Sequence, residues 1–464
     1  MKERNERMMK KWKKYASLFL AGAMMLGAFT ACTSGDKGGS ASTENTGENG
    51  ADGKSDSDSG KSGDKKKLEF WHIQTIGDAP DIIQASVDRF VAENPEYEVN
   101  VSVIANDSYK QKLSVAMSSG QMPDVFISWG GGPMNEYVDA GNIIDLTSYM
   151  EQDNYKDQFL DAAIAQSTYQ DKIYAVPVEN VAICGVFYNK DLFAEYGLSE
   201  PKTLTELEAM CETIKSKGKT PFSLANKTQW TGSMYFMNFA TRYAGVEPFK
   251  KAISGEGSFE DPAFEYAGTK IQEWVDKEYF NVGFNGADED SGQSRQLLYT
   301  EDAAMTIMGN WFFSNVKGEN PEFVEKIGFF TFPAIEEGTG DPNIVIGTIG
   351  DNLYHISSTC ENPDGAFKMI QHLLDETAVQ ERLAIGRICP LKDITLDDPV
   401  LQLIYDKVKE APDVQLWYDQ SLPPEVSQVH KNTSQEIFGK TMTPAEADKQ
   451  LQDAMQAYLS QRQS

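Results

Sequence analysis

The sequence has few residues of the kinds on which catalysis commonly depends. Its 464 residues include four histidines, which lie far apart in the chain: His72, His355, His372 and His430. It has no G-x-S-x-G nucleophile motif, no H-E-x-x-H zinc motif and no glycine-rich phosphate loop ending in lysine. These absences argue against the enzyme classes built on those motifs. A glycosidase stays an alternative, because its pair of carboxylates has no short sequence signature.

Cysteine is also scarce. Apart from Cys32 near the N-terminus, the sequence has four widely spaced cysteines: Cys184, Cys211, Cys360 and Cys389. No C-x-x-C pair occurs, so we expect no metal site. We expect no cofactor either. Each of the four has small or apolar neighbours and is expected to be a buried thiol, although one disulfide among them stays open.

Positively charged residues are outnumbered. The chain has 42 Lys and Arg against 70 Asp and Glu, which gives a formal net charge of −28. Such acidity argues against nucleic acids and anionic membrane surfaces as binding partners. It suits a protein that captures neutral or cationic small molecules.

The basic residues that are present concentrate at the N-terminus. Met1–Lys14 is basic, Ala16–Phe29 is apolar and uncharged, and Cys32 follows a small residue. This pattern predicts a signal peptide over residues 1–31, with an apolar stretch shorter than the roughly 20 residues that span a bilayer. The segment resembles the lipobox of bacterial lipoproteins, with Phe29 where that motif usually has Leu. The resemblance implies lipidation of Cys32 and an anchor on the outer face of the cell membrane.

Residues 32–67 are expected to form a linker. Thr33–Asp64 has no aromatic or large aliphatic residue and is rich in Gly, Ser and Asp, so it cannot bury a core. The remaining chain, about 400 residues, exceeds the roughly 250–300 residues at which single cores stop growing. We therefore expect two lobes.

Strand and helix patterns alternate after the linker. The segment Leu68–Trp71 is a predicted strand, Asp81–Ala92 an amphipathic helix, Tyr97–Ile104 an alternating strand and Val125–Ile127 a buried strand. A second series begins with the predicted strand Ala182–Tyr188, and the C-terminal third is mainly helical. This alternation predicts an α/β fold with mostly parallel sheets and helices on both faces.

Several segments resemble the family 1 extracellular solute-binding proteins, the cluster that includes maltose-binding protein. The resemblance rests on the order and spacing of five segments: Gly120–Val125, Tyr174–Glu179, Phe187–Asp191, Ala303–Trp311 and Asn362–Phe367. It implies two lobes joined by a hinge, with an N-lobe over 68–178 plus 353–408 and a C-lobe over 179–350 plus 412–464. It also implies a solute cleft between the lobes, hinge closure around the ligand, and partnership of a monomer with two permease subunits of an ABC importer.

The aromatic candidates for this cleft follow predicted strands. A sugar presents apolar ring faces that stack on aromatic rings, and hydroxyls that need hydrogen-bonding partners. Trp129 follows a buried strand and precedes three glycines, which we expect to leave the indole unscreened. Trp311 follows the strand Ala303–Met308, and Trp230 follows a polar loop. Trp417 lies in an aromatic–acidic cluster with Asp419, another candidate.

The remaining candidates are polar residues at strand ends or at expected crossings between the lobes. Glu179, beside Asn180, lies among valines and an isoleucine, where an acid needs a partner such as a ligand hydroxyl or a hinge cation. The others are His72, Gln74, Asp351, Asn352 and Arg387. Together these residues predict a binding protein for a carbohydrate, most simply an oligosaccharide, rather than an enzyme.

Two other functions stay open. A non-sugar solute is the first: a polyamine would need several acids around aromatic rings, a phosphate derivative would need clustered cations at a helix N-terminus, and a peptide is a further possibility. The second is a sensor that, when loaded with its ligand, is the partner of a signalling receptor and takes no part in transport.

Overall fold

A computed structural model describes residues 65–179 and 181–462. The predicted signal peptide, Cys32, nearly all of the predicted linker and Asn180 lie outside the described residues. In the described part, no helix combines the length and apolarity needed to cross a membrane.

Thirteen strands and eighteen α-helices are named here in chain order over those ranges. The strands are β1 Lys66–His72, β2 Tyr97–Val103, β3 Val125–Ser128, β4 Thr168–Tyr169, β5 Lys172–Ile173, β6 Val176–Pro177, β7 Val181–Asn189, β8 Thr220–Phe222, β9 Ala303–Gly309, β10 Ile327–Phe330, β11 Val345–Ile349, β12 Leu353–Ile356 and β13 Val414–Gln415. The helices are α1 Ala79–Glu93, α2 Asn106–Ser119, α3 Gly132–Asp139, α4 Thr147–Glu151, α5 Asp161–Gln166, α6 Lys190–Tyr196, α7 Leu204–Ser216, α8 Trp230–Ala244, α9 Glu247–Ser254, α10 Pro262–Asp276, α11 Gln293–Tyr299, α12 Trp311–Glu319, α13 Pro363–His372, α14 Glu376–Ala384, α15 Pro399–Glu410, α16 Tyr418–Ser421, α17 Pro424–Gly439 and α18 Pro444–Arg462.

Side-chain caps fix where several of these helices begin. The side chains of Asn189, Thr203, Asp261, Asp375 and Asp398 accept hydrogen bonds from backbone N–H groups in the first turn of their helices. Such caps satisfy donors that have no partner within the helix. Two of the capping aspartates are followed by proline, whose fixed φ suits the first helical position.

Two sheets organise the chain into the expected α/β fold. The first sheet has the strand order β2-β1-β3-β12-β6, and the second has β13-β11-β7-β9-β8 with β10 also paired to β7. A separate hairpin pairs β4 with β5. Both sheets are mixed, and this corrects the prediction of mostly parallel sheets. Only β1, β2 and β3 form a parallel group in the first sheet, since β12 runs antiparallel to β3 and to β6.

Each sheet has its own hydrophobic core. The first core packs Phe70, Phe90 and Phe126 with Tyr354 and other residues. The second, larger core is built around β7 and β9 and includes Trp274 at its centre, fully buried.

The second core also contains residues that the sequence interpretation assigned to the first lobe. Ile388, Leu401, Ile404 and Tyr405 pack with the second core, although the N-lobe was expected to continue to residue 408. The reason is that α15 lies against β7 rather than against the first sheet. The chain therefore passes from the first core to the second core soon after α14.

The four cysteines of the described part are free thiols. Cys184, Cys211 and Cys389 are buried and Cys360 is half-buried. The alternative of a disulfide is therefore not realised in the structure.

Candidate functional site

A cleft that opens to solvent lies between the two sheets. Its walls come from the ends of strands: Ile73–Ile76 follow β1, Trp129 follows β3, and Trp311 follows β9. Asp351 and Asn352 lie between β11 of the second sheet and β12 of the first. Side chains from both sheets therefore meet at one site, as is typical of ligand clefts in α/β proteins.

Three tryptophans form a continuous aromatic wall on the side of the second sheet. The ring of Trp311 lies 6.1 Å from that of Trp230 and 5.8 Å from that of Trp417, with interplanar angles of 59° and 61°. The steep angles make a corner rather than a flat platform. The Trp417 indole N–H donates to Thr348 Oγ1 at 3.3 Å, whereas the Trp230 indole N–H is buried and has no partner.

Trp129 comes from the other sheet. Its ring packs edge-on against Tyr109, and the ammonium of Lys110 lies 4.6 Å from the ring centroid, a cation–π distance. Trp129 is only 7% exposed.

The glycines after Trp129 serve a purpose that the sequence did not reveal. A Cβ on Gly131 would lie 2.9 Å from the Gln420 carbonyl oxygen, and one on Gly132 would lie 2.1 Å from that of Leu422. These glycines admit the backbone of the 420–422 segment, which belongs with the second core, against the start of α3. We expected them to unscreen the indole, but the structure gives close backbone packing as their reason.

Polar groups at the β11–β12 crossing face the same cleft. Gln74 Nε2 donates to Asn352 Oδ1 at 3.0 Å, which ties the end of β1 to the crossing. Asn352 has a left-handed backbone, with φ of 60°. Asp351 Oδ1 is buried without a hydrogen-bonding partner, and burial raises the pKa of this carboxyl to about 6.

Glu179 is the centre of a buried charge network. The Tyr354 hydroxyl donates to Glu179 Oε1 at 3.1 Å, and Arg387 Nη1 donates to Oε2 at 3.2 Å. The Arg382 guanidinium lies 3.6 Å from Oε1. Burial opposes ionisation of this carboxyl, but the two arginines and Tyr354 outweigh it and hold the pKa of Glu179 below its usual value.

This network joins the segments that connect the two sheets. Glu179 immediately precedes the undescribed Asn180 and β7, Tyr354 lies on β12, and the arginines lie at the end of α14 and just after it. Protein groups thus bind both carboxylate oxygens of Glu179, which matches the alternative in which this acid pairs with a cation at the hinge. The Arg387 side chain extends from this network to the cleft, which it lines, and its Nε is buried without a hydrogen-bonding partner.

Ten of the eleven ligand-binding candidates named from the sequence line this single cleft. They are Gln74, Trp129, Glu179, Trp230, Trp311, Asp351, Asn352, Arg387, Trp417 and Asp419. The eleventh, His72, does not line it and is buried at 1% exposure. Its Nδ1 accepts from the Gln74 backbone N–H at 3.2 Å, and burial lowers the pKa of this imidazole to about 4.

The sequence interpretation missed other residues of the cleft. Asn106 and Lys110 are one turn apart at the start of α2, where their spacing of four residues was a readable signal. Arg295 and Glu289 also line the cleft and form an ion pair, and Arg295 binds Glu319 at 2.8 Å as well. Among the described residues no group of three or more metal-ligating side chains forms a site for a metal ion.

A family model for the bacterial extracellular solute-binding proteins matches residues 76–380. The chain belongs to this family. It is therefore a solute-binding protein rather than an enzyme, and it acts outside the cytoplasm. The match begins shortly after β1 and ends within α14, so it includes the strands from β2 to β12 and the crossing that carries Asp351.

Relatives and solved structures agree with this assignment. The chain is 27% identical over 333 residues to the multiple sugar-binding protein of Streptococcus mutans, covering 68% of this chain and 73% of that protein. It is similar to a structure from a study of xylan utilization by the thermophilic bacterium Caldanaerobius polysaccharolyticus, with 31% identity, a TM-score of 0.77, and coverage of 83% and 99%. A chitin oligosaccharide binding protein shares the fold, with 24% identity, a TM-score of 0.78, and coverage of 85% and 99%.

Proposed function

We propose that this solute-binding protein captures a carbohydrate, most simply an oligosaccharide, and delivers it to an ABC importer. The observation that carries the proposal is a set of buried polar atoms without partners beside the aromatic wall. Trp230 Nε1 and Arg387 Nε lack acceptors, and Asp351 Oδ1 lacks a donor. Leaving such groups unpaired is costly, so a ligand that pairs them gains affinity.

A sugar matches this mixture. Each hydroxyl both donates and accepts, so one ligand satisfies the indole, the guanidinium and the carboxylate at once. The apolar faces of its rings suit the corner formed by Trp230, Trp311 and Trp417. The sugar-binding names of relatives and neighbours support the same ligand class.

The other solute classes fit less well. A polyamine needs several free carboxylates. Asp351 and Asp419 could serve it, but Glu179 is already held by two arginines and Glu289 by Arg295. A phosphate derivative needs free cations, but Arg295 and Arg387 are already paired with acids. Lys110 alone is a weak counterpart for a dianion.

We further propose that Cys32 carries the lipid anchor and that the following linker tethers the binding domain. A flexible chain of that length reaches on the order of 30 Å, which lets the cleft turn toward the permease subunits. The signal-peptide pattern and the lipobox resemblance support this placement on the outer face of the membrane. We infer that the protein works there as a monomer with two permease subunits.

A thermal-shift screen of residues 33–464 tests the ligand class. The panel contains xylo-, chito- and raffinose-type oligosaccharides, their monosaccharides, polyamines, a peptide mixture and glycerol phosphates. A ligand present at 100 times its dissociation constant stabilises the native state by about 2.7 kcal/mol. We expect a shift with one oligosaccharide class; a shift confined to polyamines, peptides or phosphates would overturn the carbohydrate assignment.

A further inference from the structure

The two lobes touch through two glycines at the edge of the cleft. Gly77 follows the cleft-lining residues Gln74–Ile76, and Gly318 lies one turn after the cleft-lining Asn315 on α12. A Cβ added to Gly318 would lie 2.7 Å from the α-carbon of Gly77, and a Cβ added to Gly77 would lie 3.1 Å from that of Gly318. Backbone therefore meets backbone there, with no room for a side chain.

Local structure explains only one of these glycines. Gly77 has φ of +62°, a left-handed conformation that favours glycine by itself. Gly318 lies in a helix without such a φ, where glycine is among the poorest residues. The contact with Gly77 is thus the reason that the structure offers for glycine at position 318.

The contact joins the lobes away from their covalent connections. Gly77 follows β1 of the first sheet, whereas α12 packs on the second core through Phe312, Phe313 and Val316. The crossings themselves are held by Glu179 and its arginines. Separation of the lobes about those crossings breaks the glycine contact but leaves the chain connections intact.

We propose that Gly77 and Gly318 form a closure contact, a side-chain-free meeting point that lets the rims of the cleft approach fully. This inference rests on the proposed binding of a solute in the cleft but not on the solute being a carbohydrate. A second cross-lobe contact lies elsewhere on the rim, where the Asp107 backbone N–H approaches Asp290 Oδ2 at 3.5 Å. Any side chain at position 318 holds the rims apart, so it weakens solute capture without touching the solute.

The decisive variant is Gly318→Ala, because alanine favours the helix and adds only the methyl group that clashes. Gly286→Ala is its matched control. Gly286 lies in the same lobe, lacks a left-handed φ, and has nothing within 4 Å of an added Cβ. Equal or higher thermal midpoints of the unliganded variants establish that both are folded.

Closure is measured as a distance between spin labels on the two lobes. The labels replace Val115 on α2 and Val282 of the other lobe, which are 68% and 103% exposed, in a Cys360→Ser background. Pulsed-EPR distances are recorded on the chain from residue 33, first without solute and then with the oligosaccharide panel. The short distance that matches this structure should be populated in the parent and in Gly286→Ala, and at least tenfold less in Gly318→Ala.

An equal short-distance population in Gly318→Ala would overturn the closure contact. The carbohydrate proposal fails differently: no sugar would raise the short-distance population of the parent, while the effect of Gly318→Ala on the unliganded distribution would persist.

Discussion

Neutralising Glu179 should destabilise the protein more than any other single-atom change in the connections between the lobes. In Glu179→Gln one carboxylate oxygen becomes an amide N–H₂ that cannot accept, so either Tyr354 or Arg387 loses its acceptor. The two guanidinium groups, 2% and 9% exposed, then lie buried without a counter-charge. Removing one partner of a buried ion pair costs about 3–5 kcal/mol.

This loss converts into a measurable shift of the unfolding midpoint. Roughly 400 residues with about 2.1 cal/mol/K of unfolding entropy each give a decrease of about 5 °C for a loss of about 4 kcal/mol. Urea unfolding of the variant and the parent at pH 7 measures the free energy directly. Glu98→Gln, at an exposed position of β2, is the control and should shift the midpoint very little.

The pH dependence adds a second check. Since the pKa of Glu179 is lowered in the folded state, its stabilising contribution is complete above the unfolded pKa of about 4.3 and declines as the pH falls below it. The difference between Glu179→Gln and the parent should therefore shrink on acidification. A variant within about 1 kcal/mol of the parent at pH 7, or a difference that grows toward pH 3, would refute the network as the link between the crossings.

Three further outcomes are expected. Burial, with a smaller effect from the Glu265 carboxylate, raises the pKa of Asp448 to about 8, so the stability of the protein should fall as the pH rises from about 4 to 8. In urea unfolding, Asp448→Asn should abolish this decline of the midpoint, and the variant should be more stable than the parent at pH 9. Trp129→Ala and Trp311→Ala should each weaken the ligand found by the screen by about 1–3 kcal/mol in titration calorimetry, and unchanged affinity in both would remove these rings from the site. Cys32→Ala should move the protein from the membrane fraction to the medium, and continued membrane association would place the anchor elsewhere.

The sequence predicted the cleft better than it predicted the sheets. Trp129 immediately follows β3 and Trp311 lies two residues after β9, and the two strands, one from each sheet, both end at the cleft. Strand direction is different, because it depends on which strands pair. The chain returns to the first sheet when β12 pairs with β3, and the paired residues are more than 220 positions apart. No local sequence pattern predicts such a pairing.

The role of Glu179 also depends on contacts between residues that are far apart in the sequence. A carboxylate among valines signals a buried partner, but the sequence does not say whether that partner is a ligand or a cation. The partners Arg382 and Arg387 are more than 200 residues away and reach Glu179 only through the fold. The same limit applies to α15, because its apolar face fits either core by pattern and only packing assigns it to the second core.

On the proposed function, the positions of the unpaired atoms would couple solute binding to closure of the lobes. Trp230 belongs to the second lobe, while Asp351 and Arg387 belong to segments that pass between the lobes. A ligand that pairs all three atoms therefore bonds to one lobe and to the crossings simultaneously, and it loses some of those bonds whenever the crossings rotate away. Arg387 strengthens this coupling, because the same guanidinium binds Glu179 through Nη1 and presents an unpaired Nε at the cleft. If both proposals hold, solute binding favours one arrangement of the crossings, the one in which Gly77 and Gly318 meet.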